Sequence, residues 1–226
     1  AYAVTPTALS DGAYAFTVKA TDNAGNASAA SASLSVTIDT AIASPAAPDL
    51  DPASDTGSSS LDDITKTTTP TFSGTVEANA RVDLYKDGTT LVGTATANGA
   101  GAYSVTSSAQ TAGVYVFTIK ATDPAGNVTA ASLGLSVTID TTVAIPGTPD
   151  LDVDSDTGPS NTDNTTKTTT PTFSGTIEPY ATVKLYKNGV QVGNATAADT
   201  GAYAVTSSAL VDGQFSFTVK QVDLAG

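Results

Sequence analysis

The sequence predicts an all-β protein built from tandem Greek-key β-sandwiches. Three observations lead there. Asp49-Leu50-Asp51 returns as Asp150-Leu151-Asp152, Ser54-Asp55-Thr56-Gly57 returns as Ser155-Asp156-Thr157-Gly158, and Thr67 to Gly74 returns as Thr168 to Gly175, so 150 − 49, 155 − 54 and 168 − 67 each give a period of 101 residues. A period of one domain length means a string of similar folded beads rather than one large domain. Within a bead, short runs rich in Thr, Val and Tyr alternate in character and are separated by Gly, Asn and Asp, the pattern of strands and turns. No stretch carries a convincing helical period.

The middle bead serves as the template. An extended piece near Pro48 to Asp51 comes first, followed by strands over Pro70–Val76, Arg81–Lys86, Leu91–Ala97, Ala102–Thr106, Val114–Thr122 and Leu133–Ile139. Lys86-Asp87-Gly88 and Lys187-Asn188-Gly189 read as hairpin turns, because Gly accepts positive φ. Val114, Val116, Thr118 and Lys120 alternate with Tyr115, Phe117, Ile119 and Ala121, as in a half-buried strand. About seven strands in about 100 residues suit a sandwich. Pro45 with Pro48, and Pro146 with Pro149, stiffen the connectors by fixing φ. The expected division is 1–44, the C-terminal part of a bead; 45–145, a complete bead; and 146–226, a bead without its last strand. Ala1-Tyr2-Ala3-Val4 aligns with Ala102-Tyr103-Ser104-Val105, and Gly226 with Gly126.

Composition narrows the chemistry. The 226 residues include no Cys, His, Trp or Met. Disulfides and thiolate metal sites are excluded, and the commonest general base is missing. Twenty-two acids against nine bases give a net charge of −13. That surface disfavours nucleic acid, and it favours hydration or divalent cations. No apolar run approaches the roughly 20 residues of a membrane helix, so membrane insertion is not expected. No phosphate-binding glycine loop precedes a helix, and a serine triad lacks its base. The chain is not expected to be an enzyme.

Thr69-Pro70-Thr71-Phe72-Ser73-Gly74-Thr75-Val76-Glu77, Ala121-Thr122-Asp123-Pro124-Ala125-Gly126-Asn127 and Val137-Thr138-Ile139-Asp140-Thr141-Thr142 together resemble the bacterial immunoglobulin-like repeats of giant secreted adhesins, including biofilm-associated and type I-secreted RTX-type surface proteins. The resemblance spans nearly the whole chain. It implies a sandwich fold, extracellular display on a bacterial cell surface, and calcium at and near the junctions between beads. Two departures stand out: Ala78-Asn79 follows Glu77, and Pro179-Tyr180 follows Glu178, where Pro-Gly is commoner in the family.

The acids are placed suggestively. Glu77 and Glu178 are the two glutamates of the chain and lie one period apart. Each follows the Thr-Pro-Thr-Phe strand, at the pole where the chain enters the sandwich. The hairpin loop carrying Asp123 and the linker leaving Asp39 belong to the same pole. Asp39, Glu77 and Asp123 are therefore expected to converge, and likewise Asp140, Glu178 and Asp223. Three carboxylates in one cleft repel unless a cation joins them. Oxygen ligands in that number suit Ca²⁺; Zn²⁺ wants His or Cys, and Mg²⁺ a tighter octahedron. The alternative is that these acids serve turn chemistry alone.

A second group comprises Asp49, Asp51, Asp55, Asp62 and Asp63, with counterparts Asp150, Asp152, Asp156 and Asp163, plus Asn164 in place of Asp63 and Asp154 added. Like charges at every other position are costly in a strand, so a loop around a metal is expected, though not an EF-hand. A solvated loop of Asx-turns is the alternative. Recurrent aromatics such as Tyr103 with Tyr203 and Phe72 with Phe173 read as core, and Tyr180, without a counterpart, as a surface contact or linker packing.

These readings favour a calcium-rigidified spacer in the stalk of an extracellular adhesin, working beside neighbouring repeats of its own chain. Beads that bind host or biofilm glycans, or a subunit of a surface filament formed by strand exchange, are the alternatives.

Overall fold

The computed structural model describes residues 2–226; Ala1, aligned above with Ala102, lies outside them. Every regular element is a strand. In chain order they are β1 (Gly12–Phe16), β2 (Leu34–Ile38), β3 (Asp49–Leu50), β4 (Ile64–Thr65), β5 (Thr71–Thr75), β6 (Arg81–Lys86), β7 (Thr90–Thr96), β8 (Ala102–Thr106), β9 (Gly113–Thr122), β10 (Leu135–Ile139), β11 (Asp150–Leu151), β12 (Thr172–Thr176), β13 (Thr182–Lys187), β14 (Val190–Thr196), β15 (Ala202–Thr206) and β16 (Phe217–Val222). The chain groups into two compact units, one of residues 1–48, 73–105 and 118–134, the other of residues 49–72, 106–117 and 135–226.

The sandwich is plainest in the last repeat, which lies wholly in the second unit. One sheet has the order β11-β12-β15 and the other β14-β13-β16. The chain crosses from the first sheet to the second after β12, returns for β15 and crosses again for β16, which is Greek-key traffic. Alternation decides which side chains go inside. Leu151, Phe173, Tyr203 and Val205 from one sheet meet Val183 and Leu185 from the other, with Phe217 and Val219 packed against them. The Phe173 and Phe217 rings stand 4.3 Å apart between centroids.

The middle repeat follows the same plan, with a sheet β3-β5-β8 and a sheet β4-β10-β9-β6-β7. The expected strands are present to within a residue or two at each end. β4 is the exception. Ile64 and Thr65 sit in an Asp/Thr-rich loop, yet they run parallel to Thr138 and Ile139 of β10. Two residues carry no readable period, so their state is set by a partner far away in sequence.

The hairpins show their chemistry in φ. Asp87 and Asn188 have φ of 50° and 47°, as the Asp-Gly and Asn-Gly turns require. Asn79 and Tyr180 occupy the same turn after the glutamate, at φ of 62° and 61°. Asn tolerates the left-handed region, whereas a bulky aromatic does not. Tyr180 is 55% exposed, so no core contact compensates for the strain. The left-handed region costs an L-residue about 1–2 kcal/mol. Tyr180→Gly should therefore raise the unfolding free energy by about 1 kcal/mol in urea titrations, whereas Asn79→Gly should change it much less.

Candidate cation sites

The best-formed acidic site lies in the first unit. β9 ends at Thr122, and the chain turns back through a loop closed by the Thr122–Val128 bridge. Asp123 begins this loop and its side chain organises it. Its Oδ1 accepts N–H bonds from Gly126 at 2.7 Å and Asn127 at 2.9 Å, and its Oδ2 accepts the Asn127 amide at 2.7 Å. Burial pushes the Asp123 carboxyl up, but the bonds from Asn127, Gly126 and Ala125 outweigh it and hold the group below the usual carboxylate value. Asp22 in the first repeat is held low chiefly by its bonds from Asn26.

Two further elements bring acids to this loop. β2 ends at Ile38, so Asp39 starts the linker, and its carbonyl accepts the Asn127 amide at 3.2 Å. The turn after β5 carries Glu77, whose Oε1 accepts the linker N–H of Ala43 at 2.7 Å. One oxygen each from Asp39, Glu77 and Asp123 lies within 4.8 Å of the others, with Asp123 buried and the other two half-buried. Oxygens at about 2.4 Å from one Ca²⁺ are separated by no more than about 4.8 Å, so the three fit a single ion as ligands. The bonds these carboxylates accept come from backbone N–H groups and the Asn127 amide, not from Lys or Arg.

Asp140, Glu178 and Asp223 do not form an equally tight set; among the described residues the first trio is the one group meeting that spacing. Part of the frame is nevertheless repeated, since Glu178 Oε1 accepts the N–H of Ala144 at 2.9 Å. Gln221 stands where Ala121 stands one repeat earlier. Its amide donates to the Ala144 carbonyl at 2.7 Å, and its carbonyl oxygen accepts the Glu178 N–H at 2.9 Å. A neutral amide thus ties linker to turn at this position. Asp140 and Asp223 line a cavity of about 210 Å³ together with Lys66.

The second group of acids divides by role. Asp51 caps a turn, its Oδ1 accepting the Ala53 N–H at 2.9 Å, and Asp152 does the same for Asp154 at 3.1 Å. Asp62 Oδ1 accepts the Ile64 N–H at 3.2 Å, and Asp163 Oδ1 the Thr165 N–H at 3.0 Å. These are Asx-turns. Asp49 and Asp150 sit exposed on β3 and β11. Asp55 and Asp156 differ from all of them, because each is only 5% exposed. The Oδ2 of each takes one backbone N–H, from Asp63 at 3.4 Å and from Asn164 at 3.2 Å. The Oδ1 of each is buried without a partner.

An unpaired carboxylate oxygen is expensive to bury. Desolvation, then the charge of Asp62, raises the Asp55 carboxyl above its ordinary value. Desolvation, then the charges of Asp55, Asp49 and Asp62, raises Asp63. Asp49, Asp55, Asp62 and Asp63 therefore crowd one another, and Asp55 Oδ1 is the atom most in need of a cation.

Sequence reasoning missed Asn127 and Gln221. The Asp-x-x-x-Asn spacing of Asp22 with Asn26 and Asp123 with Asn127 was a usable signal for the first. Gln221 stands in an alternating strand with nothing to mark it.

The profile of the bacterial Ig-like domain family matches residues 1–40, 41–141 and 142–226, and the chain belongs to that family. It is 32% identical over 225 residues to exoglucanase B of Cellulomonas fimi, covering 95% of this chain and 19% of the exoglucanase. It is 40% identical over 128 residues to chitinase A1 of Niallia circulans, covering 54% of this chain and 17% of the chitinase. The chain thus spans less than a fifth of the length of these relatives. Solved structures with some likeness include a bacterial ice-binding adhesin, at 22% identity over 87% of this chain and 63% of that one with a TM-score of 0.31. Another is the BSP domain of a biofilm-associated protein, at 20% identity over 80% of this chain and 27% of that one with a TM-score of 0.30.

Linkage gives the two sites opposite signs. Asp123 has a lowered folded value, so its stabilisation is present above the ordinary carboxylate range and is lost as pH falls through that lowered value. Asp55 and Asp63 have raised folded values, so the native state gains when they are protonated and loses as pH rises through those values. Without metal at neutral pH, Asp55→Asn should raise the melting temperature by a few degrees on the order expected for a one-site change. Asp123→Asn should lower it.

Proposed function

We propose that this chain is a non-catalytic spacer segment of an extracellular bacterial surface adhesin, stiffened by calcium where linker and loops meet. The observation that carries the reading is the convergence of Asp39, Glu77 and Asp123 from three elements onto one point, with Asp39 leading into a proline-containing linker. When bound there, Ca²⁺ would neutralise the carboxylates and tie the start of the linker to two loops. The residues supply the rest: Asn127 fixes Asp123 against the Asp39 carbonyl, and Glu77 holds the linker N–H of Ala43. Asp55 and Asp156, with their unpartnered oxygens, are the second place for an ion, inside the loop of each repeat. Extracellular modules of this kind hold Ca²⁺ with dissociation constants of about 10⁻⁴ to 10⁻³ M. Membership of the Ig-like family supports a modular, tandem role, and the −13 net charge supports display in a hydrated, ion-rich setting.

A second reading has its own support. The alignments to an exoglucanase and a chitinase each cover less than a fifth of the enzyme. The same module could be a spacer within a secreted polysaccharide hydrolase, and its mechanics would be unchanged.

Calorimetric titration with CaCl₂ should show millimolar-range binding that Glu77→Gln and Asp123→Asn each weaken at least tenfold. Small-angle scattering should show the maximum dimension changing when chelator is added. Identical scattering with and without chelator, together with no binding heat, would remove the calcium spacer.

A further inference from the structure

The Ser-Asp-Thr-Gly loop occurs twice, and the two copies are in different circumstances. Their frames match. Thr65 donates to the Ser54 carbonyl and Thr166 to the Ser155 carbonyl. The Lys66 N–H reaches Thr56 Oγ1 at 2.9 Å, and the Lys167 N–H reaches Thr157 Oγ1 at 2.8 Å. Ser54 Oγ and Ser155 Oγ accept the N–H of Thr71 and Thr172 at 3.0 and 2.9 Å.

The first copy carries an occupant. Thr56 Oγ1 donates to the Ala225 carbonyl at 2.8 Å. A Cβ on Gly57 would lie 1.8 Å from the Leu224 carbonyl oxygen, and Gly57 stands at φ +110°. A Cβ on Gly226 would lie 2.9 Å from Gly57 Cα. The tip Asp223-Leu224-Ala225-Gly226 is thus seated backbone against backbone on the loop of the preceding repeat. Ala225 is 1% exposed, while its counterparts Ala24 and Ala125 are exposed. The burial of Ala225 comes from docking, not from the hairpin itself.

The second copy has no such neighbour. Around Gly158 the nearest atoms belong to its own loop, and its φ lies outside the left-handed region. Thr157 Oγ1 keeps a 3.5 Å contact with Thr166 and no carbonyl acceptor comparable to Ala225. The tips agree with this picture. Asn23-Ala24-Gly25, Pro124-Ala125-Gly126 and Leu224-Ala225-Gly226 vary in the first residue and keep Ala-Gly. Gly25 and Gly126 stand at φ of 88° and 98°, so their own hairpins already call for glycine there, and the recurrent alanine before it is what docking accounts for.

We propose that the Ser-Asp-Thr-Gly loop is a socket for the Asp-x-Ala-Gly tip of the repeat that follows it, filled at Thr56–Gly57 by residues 223–226, so that neighbouring repeats are keyed together without a metal ion. Glycine is needed at the centre of the socket because only a bare backbone lets the incoming carbonyl approach and only glycine turns freely to positive φ. The contact is small. The short proline-containing linker makes docking intramolecular, with an effective concentration in the millimolar range, so a weak contact suffices. The key is separate from the calcium reading, and the two can fail independently.

The test uses the full chain in chelator, with nitroxides on Leu61→Cys and Val211→Cys, positions 89% and 77% exposed in a cysteine-free background. The distance distribution between the labels should be narrow. Ala225→Arg, which alters the tip alone, should broaden it at least twofold, and Gly57→Val should do the same. Gly158→Val, the same change in the copy that does not touch residues 223–226, should leave the width unchanged. A distribution that stays narrow in both Ala225→Arg and Gly57→Val would overturn the key, as would broadening by Gly158→Val equal to that by Gly57→Val.

Discussion

A carboxylate held by several backbone N–H groups cannot turn away from its neighbours. That constraint organises the acidic site. Asp123 is fixed by its own hairpin: the loop from Asp123 to Asn127 is shaped by bonds to its two oxygens. Its charge stays, because those bonds hold the group below its ordinary value. Asp39 is placed by the end of β2, and Glu77 by the turn after β5. The repulsion among the three is built in by structures that form for other reasons. An ion is the inexpensive way to relieve it.

Asp55 and Asp156 are the opposite case. They are buried, but the loop leaves one oxygen of each without a donor. Burial and neighbouring acids push the Asp55 carboxyl up where hydrogen bonds hold Asp123 down. One site is a charge stabilised in advance, and the other is a charge left wanting. A divalent cation would bind the first through convergence and the second through relief of desolvation. The middle and last repeats also touch at Gly57 through backbone fit, with the Lys66 ammonium donating to the Gly226 carbonyl.

Much of this was legible in the residues. The alternation of β9, the Asp-Gly and Asn-Gly hairpins and the recurring Tyr and Phe positions report local geometry, and local geometry is what a sequence pattern encodes. The meeting of Asp39, Glu77 and Asp123 was legible because each follows a recognisable strand end. β4 was not, since Ile64 and Thr65 owe their state to β10. The sorting of the second acidic group was equally hidden. Asp51 and Asp62 cap turns, while Asp55 is buried, and spacing alone treats all three alike. Gln221 escaped notice because a single amide in a strand carries no pattern, although it ties two backbone segments.

Anomalous diffraction from crystals grown in millimolar calcium tests the central claim most directly. The account predicts a peak bounded by carboxylate oxygens of Asp39, Glu77 and Asp123, about 2.3–2.6 Å from each. Those oxygens splayed apart into solvent, with no peak among them at that calcium concentration, would contradict it.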